Sequence, residues 1–128
     1  SSLGYMVSLG YVFLSSNLLS GELPESLRYS YSIYHLDLKN NRLSGSVPSS
    51  YGDISTLVYL GLANNLLNGS IPSALGDLNE LAYLNLENND LSGEIPLSFS
   101  KLIALQELYL ADNNLLEGLI PDMPVQIV

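Results

Sequence analysis

Leucine and other aliphatic residues recur along the chain at a fixed spacing, as at Leu36, Leu60, Leu84 and Leu108. Each copy reads leucine-x-leucine-x-x-asparagine-x-leucine-x-glycine-x-aliphatic-proline, with valine replacing the first leucine in the first copy. The copies lie at residues 12–24, 36–48, 60–72, 84–96 and 108–121. The last copy slips by one position, because Glu117 stands where glycine is expected, and we place a one-residue insertion between Leu115 and Gly118. A period of about 24 residues is typical of a solenoid, whose coils bury their apolar faces against one another.

The alternation of leucine and other residues in each copy predicts a short β-strand with its leucines inward. Strands of successive coils should pair in parallel, about 4.8 Å apart. Backbone groups at the bend after each strand need partners, and an asparagine side chain both donates and accepts. We therefore expect the second asparagine of each copy to point inward and bond this bend. This inner ladder comprises Asn17, Asn41, Asn65, Asn89 and Asn113.

These residues resemble the plant-type leucine-rich repeat, in which Leu-x-x-Leu-x-Leu-x-x-Asn-x-Leu-x-Gly-x-Ile-Pro recurs over nearly the whole chain. The resemblance implies an α/β solenoid, a right-handed superhelix of about five coils with a concave parallel β-sheet. It further implies a second, irregular layer at the Gly-x-Ile-Pro segments and short 3₁₀ or α turns on the convex side. Secreted members of the family usually carry cysteine-containing caps, whereas this chain has no cysteine.

The whole chain, residues 1–128, is predicted to form a single domain. It has a partial repeat at residues 1–8 and repeats starting near residues 9, 33, 57, 81 and 105. The apolar start belongs to this pattern, because Leu3 and Met6 are in phase with it and no basic start or cleavage site precedes the repeat. Both ends then fall within a repeat. Exposed coil edges favour a place in a longer ectodomain; the alternative is a small protein that caps itself or self-associates through its uncapped ends.

Composition narrows the classes of partner. Four basic residues stand against thirteen acidic ones, which gives a net charge of −9. Nucleic-acid binding needs a basic surface, and so does docking on anionic lipid. No stretch approaches the roughly 20 apolar residues that span a bilayer. We expect no nucleic-acid partner, no membrane contact by this segment, and neither cofactor nor metal.

The outward row of the concave sheet is the surface most available to a ligand. One column of this row carries Tyr11, His35, Tyr59 and Tyr83. Exposed tyrosine supplies a large contact area and is enriched in interface hot spots, although cross-strand stacking that stabilises the sheet is the alternative. Tyr59 and Tyr83, near the centre, are expected to contribute most. The predicted binding residues are Tyr11, Phe13, Tyr34, His35, Asp37, Tyr59, Tyr83, Asn85, Glu87, Glu107 and Tyr109.

The sequence does not support catalysis. His35 is the only histidine, and Asp37 faces the same side, but no glycine-flanked nucleophile accompanies them. Glu87, Glu107 and Asp112 could attract a basic partner or Ca²⁺, yet no closed carboxylate-rich loop holds them, so we interpret them as solvated acids.

Asn68-Gly69-Ser70 is the single glycosylation sequon, so Asn68 is the predicted acceptor. We predict a non-enzymatic scaffold that binds a protein or peptide, with a basic element, through the concave face. The family resemblance implies an extracellular or cell-surface receptor segment or a secreted inhibitor such as those of polygalacturonases. The alternative is a surface for ice or cell-wall polysaccharide, built on the outer row Ser16, Asn40, Asn64, Asn88 and Asp112.

Overall fold

The computed structural model describes residues 10–123, in which each coil gives one strand to each of two sheets. The strands are β1 (Tyr11–Phe13), β2 (Ser20–Glu22), β3 (His35–Asp37), β4 (Arg42–Ser46), β5 (Tyr59–Gly61), β6 (Leu66–Ser70), β7 (Tyr83–Asn85), β8 (Asp90–Glu94), β9 (Glu107–Tyr109) and β10 (Leu115–Glu117). The odd-numbered strands form the principal sheet in the order β1-β3-β5-β7-β9, and the even-numbered strands form the second sheet. The predictions for the partial first repeat and for the outermost ends fall on residues outside the described range.

The principal sheet has the predicted register. Each residue of its parallel strands pairs with the equivalent residue of the next copy, as in the pairs Leu36↔Leu60 and Leu60↔Leu84. These leucines are fully buried, and so are Leu62 and Leu86 in the bends that follow the strands. The strict sequence period is therefore the period of the coils, and the predicted inward ladder of leucines is confirmed.

The inner asparagine ladder bonds the bends as predicted at Asn41, Asn65, Asn89 and Asn113, of which the last three are buried. Asn65 is buried, and its Nδ2 donates to the carbonyl oxygens of Leu38 at 3.0 Å and Leu62 at 3.1 Å. Its Oδ1 accepts from the backbone N–H of Leu43 at 3.0 Å. Asn41, Asn65, Asn89 and Asn113 each bond their own bend and the preceding coil, so they link neighbouring coils as well as satisfying buried backbone groups. Asn17 is exposed and, within residues 10–123, bonds only its own bend.

The layer that the resemblance implied to be irregular is a regular five-stranded parallel sheet. In its first three pairings each partner lies two positions short of the full sequence period, so that Gly45 pairs with Leu67 and not with Gly69. Glycine lies within β2, β4, β6 and β8 at positive φ, for example Gly45 at 76° and Gly69 at 74°. Glycine and small polar residues have weak strand preference, so the pattern that predicts the principal sheet has no counterpart here.

The one-residue insertion lies earlier than predicted. Leu115 is 63% exposed, whereas Leu116 packs against the core. Gly69 pairs with Leu91 in the preceding coil, and the next glycine, Gly93, pairs with Leu116. Leu116 therefore takes the place that Leu91 has in the preceding coil. The extra residue lies between Asn113 and Leu116, and not between Leu115 and Gly118. Two adjacent leucines made the two alignments equivalent in sequence, and burial separates them.

Short 3₁₀ helices line the side opposite the principal sheet, as predicted for the convex side. Four are present in residues 10–123, at Glu25–Tyr29, Ser49–Asp53, Ser73–Asp77 and Leu97–Lys101. A proline precedes each helix, and the Pro72 carbonyl, for example, accepts from the Leu75 N–H at 3.2 Å. None of the helices in this range could cross a membrane.

Candidate functional site

The outward surface of the principal sheet carries a ladder of parallel rings, and we call this surface the aromatic face. Strand pairing aligns His35 with Tyr59 and Tyr59 with Tyr83. The centroids of the first pair are 4.0 Å apart and those of the second 4.2 Å apart, with interplanar angles of 8° and 2°. Tyr59 thus has a ring on each side, so it presents its edge and hydroxyl to solvent and not its faces.

The first two coils hold the most exposed rings of this surface, which we call the aromatic end: Tyr11, Phe13 and Tyr34. Phe13 is 63% exposed and Tyr11 is 53% exposed. Tyr34 meets Tyr11 edge-on at 4.4 Å between centroids, and Phe13 lies against His35 at 4.6 Å. A hydrogen bond with Tyr11 raises the pKa of Tyr34 above its ordinary value. The aromatic end is therefore an apolar surface with polar hydroxyl tips.

Lys39 lies at the middle of the aromatic face, although it is absent from the predicted binding set. Its Nζ donates to the Tyr59 hydroxyl at 2.7 Å and lies 4.0 Å from the Asp37 carboxylate. The ammonium also lies over the rings of Tyr59 and Tyr83, 5.5 and 5.8 Å from their centroids. Partial burial lowers the pKa of Lys39, but the bond to Tyr59 and the charge of Asp37 together outweigh it and leave the pKa raised. Lys39 is thus a positioned cation.

Gly61 makes room for this arrangement. A Cβ at Gly61 would lie 3.0 Å from the Tyr59 ring, 3.2 Å from an Asp37 oxygen and 3.2 Å from the Lys39 side chain. The missing side chain leaves a gap in the column into which Lys39 folds. The sequence does contain this pair, because Gly61 and Lys39 occupy neighbouring outward columns in successive coils. The relation is recognisable only once the copies are aligned.

Two predicted binding residues also act on their own backbone. Asp37 Oδ1 accepts from the Lys39 N–H at 3.1 Å, and Asn85 Oδ1 accepts from the Glu87 N–H at 3.0 Å. Asn85 is only 6% exposed, and its Nδ2 donates to the Tyr83 hydroxyl at 3.0 Å. Asn85 therefore lies on the predicted side but is buried, with both ends of its amide already bonded.

The acids of the last two coils have no cationic partner. The ion pairs of residues 10–123 are Arg28–Asp53, Lys39–Asp37 and Lys101–Asp77, so Glu87, Glu107 and Asp112 take part in none. Glu107 accepts from the Tyr109 hydroxyl at 2.6 Å, and this bond raises the pKa of Tyr109. Glu107 and Asp112 are exposed and Glu87 is half-buried. Negative charge consequently collects at this end of the aromatic face.

The outer row borders the aromatic face and is built on left-handed backbone. All five of its residues have φ between 51° and 58°, a conformation that asparagine and aspartate tolerate better than most residues. Asn88 donates to Asn64 and Asn64 donates to Asn40, both at 2.7 Å, while Asn40 reaches Ser16 at 3.4 Å. The outer asparagines are exposed, as predicted, but their amides are bonded to one another.

The family model described as Leucine rich repeat matches residues 31–91 and 55–115, and a second model of that description matches residues 8–30. The chain belongs to the leucine-rich repeat family. A search of curated proteins gave no match.

Solved structures extend the assignment of this leucine-rich repeat chain to the plant type. The plant peptide hormone receptor RGFR1 in complex with RGF2 is 32% identical with a TM-score of 0.91, covering 94% of this chain and 19% of that chain. The PEPR1–AtPEP1 structure is 42% identical with a TM-score of 0.87, covering 94% and 17%. The BIR3–SERK2 complex from Arabidopsis thaliana is 46% identical with a TM-score of 0.80, covering 84% and 57%. This chain thus spans about a fifth of the first receptor, at 19% of its length.

The single histidine of the chain lies in the ring ladder of this leucine-rich repeat face. His35 is stacked on Tyr59, and partial burial lowers its pKa below the ordinary value although Asp37 opposes the change. No cluster of three or more potential metal ligands occurs in residues 10–123. The face offers exposed rings at one end, a positioned cation in the middle and unpaired carboxylates at the other end.

Proposed function

We propose that this leucine-rich repeat segment is a non-enzymatic part of an extracellular, receptor-type ectodomain and recognises a protein or peptide through its aromatic face. The observation that carries the proposal is the exposure of Phe13 and Tyr11, at 63% and 53%, side by side on the outward face of the principal sheet. Large apolar rings left open in this way mark interaction surfaces, and aromatic residues dominate interface energies.

The structural relatives support the class of partner. RGFR1 is described as a peptide hormone receptor in complex with RGF2, and HAESA from Arabidopsis is described in complex with the peptide hormone IDA and the co-receptor SERK1. PEPR1 is described with AtPEP1. From ectodomains of this kind we infer an extracellular or cell-surface location and a peptide or protein ligand for this segment.

The ring geometry disfavours the alternative of a polysaccharide or ice surface. A sugar stacks on the face of an aromatic ring, but both faces of Tyr59 are covered by His35 and Tyr83 at 4.0 and 4.2 Å. The amides of the outer row are also not all free to bind ice or a sugar, because Asn64 donates to Asn40 and Asn88 donates to Asn64, both at 2.7 Å. Edges and hydroxyls of stacked tyrosines suit the irregular polar contacts of a peptide better.

A peptide selection tests the proposal without knowledge of the natural ligand. The whole chain would be screened against a displayed library of random short peptides, and each selected peptide would be retested on two double variants. Tyr11→Ala with Phe13→Ala removes two rings of the aromatic end, whereas Leu97→Ala with Ile103→Ala removes two apolar residues of the convex side that are more exposed still, at 80% each.

We expect the aromatic-end variant to weaken binding about tenfold or more, because truncating a hot-spot ring costs about 2 kcal/mol. The convex variant should bind as the wild type does. Peptides that lose affinity for the convex variant and retain it for the aromatic-end variant would overturn the assignment of the face. A thermal-hysteresis measurement on the wild type checks the ice-binding alternative, for which we expect no effect.

A further inference from the structure

The aromatic face changes character along the solenoid axis. The aromatic end holds Tyr11, Phe13 and Tyr34, and no described acidic or basic residue lies among the strand residues of β1. Three and four coils further on, Glu87 and Asp112 carry carboxylates without an ion-pair partner in residues 10–123. A ligand that lies along the axis therefore meets apolar surface first and negative charge last.

Between its two ends the aromatic face carries one pair of opposite charges, Lys39 and Asp37. Lys39 lies 4.0 Å from Asp37 and bonds Tyr59 at 2.7 Å, so this pair contributes little net charge to a passing ligand. The excess of acidic over basic residues on the face is therefore confined to the last two coils, where Glu87, Glu107 and Asp112 lie.

The outer row also ends in the last coil, at Asp112. Two of the three outer asparagines accept a hydrogen bond at Oδ1 from the next coil: Asn40 accepts from Asn64, and Asn64 accepts from Asn88. The residue that follows Asn88 in the row is Asp112, an acceptor; Asn88 Nδ2 donates to Asn64, and no hydrogen bond joins Asn88 to Asp112 within the described chain. The Asn88 N–H donates to the carbonyl oxygen of Ala111 at 2.9 Å, so the backbone of Glu87 and Asn88 runs beside that of Ala111 and Asp112, and no described group donates to the side-chain oxygens of Asn88 and Asp112. A cationic side chain from a ligand is the complement to this group.

We propose that the aromatic face binds an extended peptide segment in which an aromatic or aliphatic side chain occupies the aromatic end and a lysine or arginine reaches Glu87 and Asp112. This inference rests on the proposed function. At about 4.8 Å per coil, the two contacts lie roughly 14 to 19 Å apart along the axis. An extended chain rises about 3.3 Å per residue, so the two side chains are separated by about four to six residues.

Charge reversal tests the inference through specificity rather than through loss of binding alone. The same peptide library would be selected on the wild-type chain and on a Glu87→Lys/Asp112→Lys variant. A Glu25→Lys/Glu80→Lys variant is the control, because it makes the same change in net charge at two exposed residues of the convex side. Thermal melts of all three proteins confirm that the variants are folded.

We expect peptides selected on the wild type, and on the control, to be enriched in lysine or arginine at about four to six residues from an aromatic or aliphatic residue. The Glu87→Lys/Asp112→Lys variant should instead select aspartate or glutamate at that distance, and wild-type peptides should bind it about tenfold more weakly. Their affinity for the wild type should also fall as salt rises.

Two results would overturn the proposal and are distinguishable. If peptides depend on Tyr11 and Phe13 but show no basic enrichment, or keep it on the charge-reversed variant, the basic contact is wrong while the aromatic face remains the binding surface. If selected peptides ignore Tyr11 and Phe13 altogether, the proposed function itself fails.

Discussion

Replacing Asn65 with alanine tests the physical reason for the inner ladder. The side chain donates to the carbonyl oxygens of Leu38, Leu62 and Ala63 at 3.0, 3.1 and 3.3 Å, and accepts from the Leu43 N–H at 3.0 Å. Asn65 is buried, so water cannot readily replace these bonds. The substitution removes four contacts, but its cost depends on which backbone groups keep another partner.

In the Asn65→Ala variant the carbonyl oxygens keep other hydrogen-bond donors, whereas the backbone N–H of Leu43 loses its acceptor. Leu38 O still accepts from Asn41 at 3.1 Å, and Leu62 O still accepts from Asn89 at 3.0 Å. The N–H of Leu43 has Asn65 as its acceptor and is left buried and unpaired. One orphaned backbone donor costs about 1–3 kcal/mol, so we expect the Asn65→Ala variant to lose about 2 kcal/mol of unfolding free energy.

Asn17 provides a matched control from the same ladder. It is exposed and donates to Leu14 O at 3.0 Å and Ser15 O at 3.1 Å, while no described backbone N–H donates to its Oδ1. Asn17→Ala orphans no donor, so it should cost less than about 1 kcal/mol. Urea unfolding of both variants and of the wild type, followed by circular dichroism and tyrosine fluorescence, gives the comparison. Equal losses for the two variants would refute the argument that the orphaned N–H sets the cost.

Three further predictions concern the convex side, the ring ladder and the second sheet. Gly52→Ala should destabilise the fold by about 2 kcal/mol or more in the same urea assay, because the new Cβ would lie 2.3 Å from the backbone oxygen of Ala74; Ser49→Ala, exposed in the same helix, should change little. Burial lowers the pKa of His35, so the unfolded chain takes up the proton first and wild-type stability should fall as pH drops below about 6.5. His35→Tyr keeps a ring in the stack and should lack this component when unfolding is compared between pH 7.5 and pH 5. Asn68 is exposed on β6, so secretion from a eukaryotic cell should add a glycan that mass spectrometry detects and Asn68→Gln abolishes; an unmodified secreted chain would contradict this.

The principal sheet was predictable because its register equals the sequence period. Aligned strands place each residue beside its equivalent in the next copy, so counting alone puts Tyr59 between His35 and Tyr83. The inner asparagines were predictable for a related reason, since buried backbone at a repeated bend needs the same amide in every coil. Neither inference required knowledge of side-chain conformation.

Features that depend on offsets between coils or on empty space were not predictable. The second sheet pairs Gly45 with Leu67 and not with Gly69, an offset that the sequence period conceals. The place of Lys39 depends on the gap at Gly61, and a gap is visible only when its neighbours are known to fold into it. The choice between Leu115 and Leu116 as the buried residue was open, because both have the same side chain.

The rings of the aromatic face have different roles, which their positions in the sequence did not indicate. Tyr59 and Tyr83 were expected to dominate binding because they are central, yet Tyr59 is stacked on both faces and accepts from Lys39 at 2.7 Å. Its removal would disturb the sheet and the cation together, so weakened binding by Tyr59→Ala would not by itself identify a contact. Phe13 rests on this ladder through His35 at 4.6 Å but remains 63% exposed. The ladder therefore acts as the platform that orders the aromatic end, and the exposed area of Phe13 is what a ligand can still bury.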